Sequence, residues 1–196
     1  KFKLKNMARD MVALFKKRVY DVAGCNPSLK VYLDGELIDI NSFVKYVEMY
    51  LPEGTKKVNA RITPRWEVCV AFSDSGAQQV SFVNSICTIR GGTHVNYLSN
   101  QMVRKMRPII AKKLKIDEKT VKAHTISGHI WIFVNALIEN PAFDSQTKET
   151  LTSKVSEYGS KCDLPDDFLG KVARSLDIVN SAVALSQFKA KQELKR

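Results

Sequence analysis

Residues 129–138 (HIWIFVNALI) constrain this sequence more than any other stretch. The run is apolar without a break from Ile130 to Val134, so a strand built on it must be covered on both faces, as the middle of a sheet is. Other elements arrange themselves around that strand. Residues 58–62 and 66–72, joined near Pro64, and residues 78–88 (QQVSFVNSICT) are three further strands, and residues 121–127 are one more candidate. After the Arg90-Gly91-Gly92 turn, residues 95–115 place Val95, Leu98, Met102, Met106, Ile109 and Ile110 at helical spacing, with Pro108 expected to kink the helix. Residues 139–150 are polar and read as a loop. Residues 165–174 and 177–195 are helices, the last presenting Val179, Val183, Leu185 and Phe188. Strands, helix, strands, helices in that order predict an α+β sandwich with helices over one face of a four-stranded sheet.

The N-terminal quarter has a different texture. Residues 8–23 place Met11, Leu14, Phe15, Val19 and Val22 on one helical face, and Gly24 reads as the stop. Residues 30–33 and 36–38 flank Asp34-Gly35, the dipeptide of a type I′ hairpin. Asn41 or Ser42 caps a short helix carrying Phe43, Tyr46, Val47 and Tyr50. Residues 52–57 (PEGTKK) are a linker, which divides the chain into 1–52 and 53–196. The first part is too small to stand alone and reads as the tail of a larger domain. The absent initiator Met fits a piece of a longer chain.

Composition narrows the class. A chain of 196 residues is one large domain or two small ones at roughly 150 residues per domain. Hydrophobic residues at 44% and charged residues at 26% exclude wholesale disorder and collagen-like repeats. No apolar run reaches the roughly 18 residues of a membrane span, so no membrane partner is expected. Cys25, Cys69, Cys87 and Cys162 form no CxxC pair and find no matching spacing among His94, His124 and His129, which argues against a metal site. Free thiols in apolar stretches fit a reducing compartment, nucleus or cytosol. The net charge is +11, and residues 101–125 alone carry +6. Such a segment is either a solvated helix face or an electrostatic footprint for a phosphate backbone.

No catalytic set assembles locally. Asp166 and Asp167 are adjacent and diverge by about 100° on a helix, so they cannot face one substrate together. Arg90-Gly-Gly-Thr93 lacks P-loop spacing, and Thr93 as a helix N-cap accounts for the glycines. The loop at 140–149 differs, because it leaves the end of a buried strand, where binding groups are commonly displayed. Gln146 and Lys148 offer an amide donor and a point cation, a pairing suited to terminal phosphate oxygens. An ordinary exposed loop accounts for the same residues.

Three motifs resolve the choice. Ser81-Phe82-Val83-Asn84-Ser85-Ile86, Gly91-Gly92-Thr93-His94 and Ile138-Glu139-Asn140-Pro141-Ala142-Phe143-Asp144-Ser145-Gln146-Thr147-Lys148-Glu149 closely resemble the type IIA DNA topoisomerases, in their eukaryotic topoisomerase II branch. Residues 18–24 (RVYDVAG), 30–35 (KVYLDG), 65–68 (RWEV) and 131–137 (WIFVNAL) resemble the same family, and the likeness runs in order from Lys1 to at least Cys162. It implies the end of a GHKL-type ATPase domain at 1–52, then a transducer at 53–196 ending in a long helix toward the DNA-cleavage core. It further implies that Lys148 contacts the ATP γ-phosphate, with Gln146 as a second contact, and that Lys112, Lys113 and Lys115 face double-stranded DNA. The parent enzyme would be a nuclear homodimer using ATP and Mg²⁺. The family's water-activating glutamate, ATP lid, acidic metal cluster and DNA-linking tyrosine are expected outside 1–196, so the chain alone is expected to be inactive. Two rival readings are a plain nucleic-acid-binding module and a structural domain of a mismatch-repair or chaperone GHKL ATPase.

Overall fold

The structure, a computed structural model, describes residues 7–193. The resemblance at positions 1–6 therefore lies outside the described residues. The chain divides into two compact units, one ending at Glu53 and the other beginning at Gly54.

In the first unit, α1 (Arg9–Cys25) packs on α2 (Phe43–Glu48), and a small hairpin pairs β1 (Tyr32–Leu33) with β2 (Glu36–Leu37). Asp34 and Gly35 both take positive φ, 53° and 87°, as the predicted I′ turn requires. Ser42 is the N-cap of α2, its hydroxyl accepting from Lys45 N at 3.2 Å. Gly24 does not stop α1. It sits inside the helix, where an added Cβ would lie 2.5 Å from the Tyr46 ring, so glycine serves close helix packing there. Beside it the buried Asp21 carboxylate accepts from Lys17 Nζ at 2.8 Å, Arg18 at 3.2 Å and the Tyr46 hydroxyl at 2.6 Å. Burial and that carboxylate hold the Tyr46 phenol well above its ordinary pKa. The expected apolar stripe of α1 is not in this unit's core, and Met11, Leu14, Phe15 and Val22 are exposed.

The second unit is a five-stranded sheet in the order β3-β4-β7-β5-β6, one strand more than predicted. β3 (Lys57–Thr63) and β4 (Trp66–Phe72) form an antiparallel hairpin, and β4 runs antiparallel to β7 (Ile130–Ala136). β5 (Gln78–Val83) runs parallel to β7 on its other side, which makes β7 the central strand. The predicted single strand at 78–88 is broken. Asn84 and Ser85 take φ of 50° and 65° and turn the chain into β6 (Ile86–Cys87), which pairs back on β5. An Asn-Ser pair lacks the glycine that marks such turns in sequence, although Asn tolerates the left-handed region.

α3 (Thr93–Leu114) lies across one face of the sheet and buries Leu98, Met102, Met106 and Ile110 against Val68, Val70, Ile132 and Val134. Val103 and Ala111 complete its inner face, whereas Val95 and Ile109 are half-buried. The helix continues as one element through Pro108. The predicted strand at 121–127 is instead a short helix, α4 (Ala123–Ser127), with Thr125 and Ile126 buried. Its five residues carry one helical turn rather than strand alternation, and it packs on α3. α5 (Asp166–Ser175) and α6 (Ile178–Glu193) close the core with Phe168, Leu169, Val172, Ile178, Val179 and Ala182. Beyond Val183 the pattern fails, Leu185 being only half-buried and Phe188 exposed. The predicted end of that helix, Leu194 and Lys195, lies outside the described residues. All four cysteines are buried as thiols.

Candidate functional site

The three motifs meet around one loop. The loop leaves β7 at Ala136, and Asn84 seizes it there. Its backbone N donates to Ala136 O at 2.9 Å, its side-chain Nδ2 donates to Ile138 O at 2.9 Å, and its Oδ1 accepts from Ile138 N at 2.9 Å. One amide side chain thus pairs both backbone groups of Ile138, which would otherwise lose partners where the ladder ends. Asn84 lies in the Ser81–Ile86 motif, but nothing local in the sequence points to this role.

The returning arm is held by Gly91-Gly92-Thr93-His94. Leu151 N donates to Gly91 O and Thr93 N donates to Leu151 O, both at 3.0 Å. Gly92 has φ of 138°, and a Cβ there would lie 2.4 Å from Leu151 O, so the strand-like contact excludes any side chain. Thr93 is not the N-cap of α3; Gly92 holds that position. The Thr93 hydroxyl instead donates to Ser153 O and accepts from the Tyr158 hydroxyl, both at 2.7 Å. Ser153 Oγ in turn accepts from Ala142 N at 2.7 Å. Behind this lies His94, fully buried, with Nε2 3.3 Å from the Thr88 hydroxyl, which is 2.6 Å from the Ser81 hydroxyl. Burial lowers the His94 pKa to about 4, so its ring is neutral at pH 7.

The loop itself closes on a short stem. Phe143 bridges Leu151 in antiparallel fashion, Asp144 N donates to Thr150 O at 3.1 Å, and Thr150 N donates to Asp144 Oδ1 at 3.2 Å. The Thr150 hydrogen bond holds the Asp144 carboxyl below its usual range. Arg90 braces the stem from outside, its N donating to Glu149 O and its Nε meeting Glu149 Oε2, both at 3.0 Å. At the tip, Lys148 N donates to Ser145 O at 3.1 Å and Lys148 adopts φ of 58°. Gln146 is exposed and makes no side-chain hydrogen bond among the described residues. The Lys148 ammonium has no carboxylate partner there either; it lies 5.7 Å from the centroid of the Phe143 ring. The sequence-predicted pair therefore shares one tip, with the amide and the cation both available to an anion.

Lys112, Lys113 and Lys115 are elsewhere. They occupy the last turn and the left-handed C-cap of α3, whose first residue is Thr93. At 1.5 Å rise per residue they stand about 30 Å from the loop's attachment. All three are exposed; Lys113 donates to Asn180 Oδ1 at 3.0 Å, while Lys112 and Lys115 make no ion pair among the described residues. Asp117 caps a turn at 118–120, accepting from Lys119 N at 2.7 Å, so it is engaged locally. No group of three His, Cys, Asp or Glu side chains among the described residues could hold a metal ion, and no described helix is long and apolar enough to cross a membrane.

Known proteins share this architecture. A family profile described as DNA gyrase B matches residues 32–196. DNA topoisomerase 2 of Arabidopsis thaliana is 47% identical over 205 residues, a match covering 100% of this chain and 14% of that protein. The ATPase region of Saccharomyces cerevisiae topoisomerase II superposes with a TM-score of 0.83 at 40% identity, over 94% of this chain and 47% of that one. The ATPase and transducer domains of DNA topoisomerase II from Balamuthia mandrillaris superpose with a TM-score of 0.86 at 41% identity, over 93% and 46%. The chain thus spans a small part of the curated relatives' length. With this fold, this loop and these likenesses together, the chain belongs to the DNA gyrase B family and corresponds to part of the ATPase region of eukaryotic topoisomerase II.

Proposed function

We propose that residues 53–196 are the transducer of an ATP-dependent type II DNA topoisomerase, and that residues 1–52 are the end of its GHKL ATPase domain. In this reading the region couples ATP binding and hydrolysis at the entry gate to passage of a DNA duplex. The observation that carries it is the braced loop at the end of the central strand, which presents Lys148 and Gln146 with no carboxylate partner among the described residues. Bound ATP supplies the γ-phosphoryl group that is transferred to water. Lys148 places a compact charge against that phosphate and Gln146 offers an amide donor beside it, so the loop's position depends on whether the phosphate is present. In this reading Mg²⁺ accompanies ATP in the parent enzyme, which we place in the nucleus as a homodimer.

Steady-state ATP hydrolysis by the full-length enzyme carrying Lys148→Ala tests this directly. One preorganised charge lost at a developing phosphate costs about 3–4 kcal/mol, so turnover should fall roughly 10²–10³-fold. Turnover within about twofold of wild type would remove Lys148 from the site.

A nucleic-acid-binding role has its own observation, the exposed cations at the far end of α3, and the two readings are compatible. The identity to topoisomerase 2 disfavours a mismatch-repair or chaperone ATPase.

A further inference from the structure

Lys148 carries a four-carbon stem that is disordered by default and must be held to act as a fixed point charge. Three carboxylates belong to the same loop and none takes its ammonium; Glu139 pairs with Arg65 at 2.7 Å. Asp144 accepts from Thr150 N at 3.2 Å, and Glu149 is paired with Arg90 at 3.0 Å. What remains for the ammonium is the Phe143 ring, 5.7 Å to its centroid, inside the range of a cation–π contact. Phe143 is itself fixed: it is half-buried, packs against the core and bridges Leu151, which is bonded on both sides to Gly91 and Thr93. The turn at the tip, with Lys148 N on Ser145 O and φ of 58° at Lys148, folds the stem back over that ring.

We infer that Phe143 is a positioning residue that holds the Lys148 ammonium over its ring, ready for a terminal phosphate. This rests on the γ-phosphate reading of Lys148. A ring is suited to the task because it attracts the cation without neutralising it, whereas a carboxylate would compete with the phosphate for the charge. The engagement of Asp144 and Glu149 elsewhere keeps that competition out.

A diphosphate lacks the group Lys148 would meet, so the discriminating quantity is the affinity of the full-length enzyme for a non-hydrolysable ATP analogue relative to ADP, read by calorimetry. Phe143→Leu keeps an apolar side chain in the stem and removes the ring; the analogue-to-ADP preference should fall about three- to tenfold, with ADP affinity unchanged. Phe143→Tyr restores a ring and should restore the preference to within about twofold. Lys148→Ala should abolish the preference that depends on the γ-phosphate. If Lys148→Ala loses the preference while Phe143→Leu keeps it, Phe143 is stem packing and the inference fails. If Lys148→Ala also keeps it, the γ-phosphate reading fails and the inference falls with it. Phe143→Met fills the same space without a ring and replaces the Leu variant should that one melt early; an unchanged preference in the Met variant would equally overturn the inference.

Discussion

At the scale of single residues, the buried imidazole of His94 sets a measurable pH dependence. Its folded pKa is about 4, against about 6.5 for an open chain, because burial disfavours the charged ring. Between those values the unfolded chain binds a proton that the folded chain does not, so stability falls as pH drops through that window and is flat above about pH 7. At pH 5 the loss from this group should be about 2 kcal/mol relative to pH 7. Urea unfolding of wild type and His94→Gln at both pH values checks it, the glutamine variant losing that part of the slope. The residue types at the site were legible in sequence, but their wiring was not. Gln146 and Lys148 stood out as donor and cation two positions apart. Asn84, Gly92 and Arg90 act on backbone groups or partners some 54 to 59 positions away, as the Asn84–Ile138 and Thr93–Leu151 bonds show, and no local pattern encodes such pairings. The N-cap role expected of Thr93 fails for the same reason, since its hydroxyl reaches forward to Ser153 rather than capping its own helix.

At the scale of elements, periodicity succeeded where runs were long. The unbroken stretch from Ile130 to Val134 is the central strand, and the inward face of α3 holds at Leu98, Met102, Met106 and Ile110. Short runs failed. Residues 121–127 are too brief for alternation to be told from one helical turn, and the Asn84-Ser85 turn hid inside an apolar run. The basic end of α3 belongs to this scale too, because Lys112, Lys113 and Lys115 are exposed together there. If it neutralises about three phosphates, log K for duplex DNA should fall with log salt at a slope near −2.7. Replacing Lys112, Lys113 and Lys115 together by Ala should flatten that slope by roughly two to three units, with an unchanged circular dichroism spectrum. A slope equal to wild type would make these lysines a solvated face. Loss of Lys113 also removes its bond to Asn180, so melting temperature is the control.

At the scale of the whole molecule, the division near Glu53 follows the Pro- and Gly-containing linker, which composition alone made visible. The apolar stripe of α1 shows what composition could not reveal. Met11, Leu14 and Phe15 have the spacing of a buried face, yet remain exposed in the first unit. Spacing records that a face is apolar and says nothing of what covers it. We expect this chain alone neither to hydrolyse ATP nor to relax supercoiled plasmid, because Lys148 and Gln146 are the only nucleotide contacts proposed in it. Purified chain with Mg-ATP and plasmid should match the buffer blank, and turnover that follows the chain through successive columns would contradict this.

The attachment of the loop to the head of α3, through Gly91, Gly92 and Thr93, gives the helix a mechanical character. α3 has 22 residues and is about 33 Å long, anchored at one end to the arm that bears Lys148 and ending in three lysines at the other. Leu98, Met102, Met106 and Ile110 seat it on the sheet along its length, so the helix is a strut rather than a hinge: in the proposed function, a phosphate that draws on Lys148 would have to move arm, helix and sheet as one body.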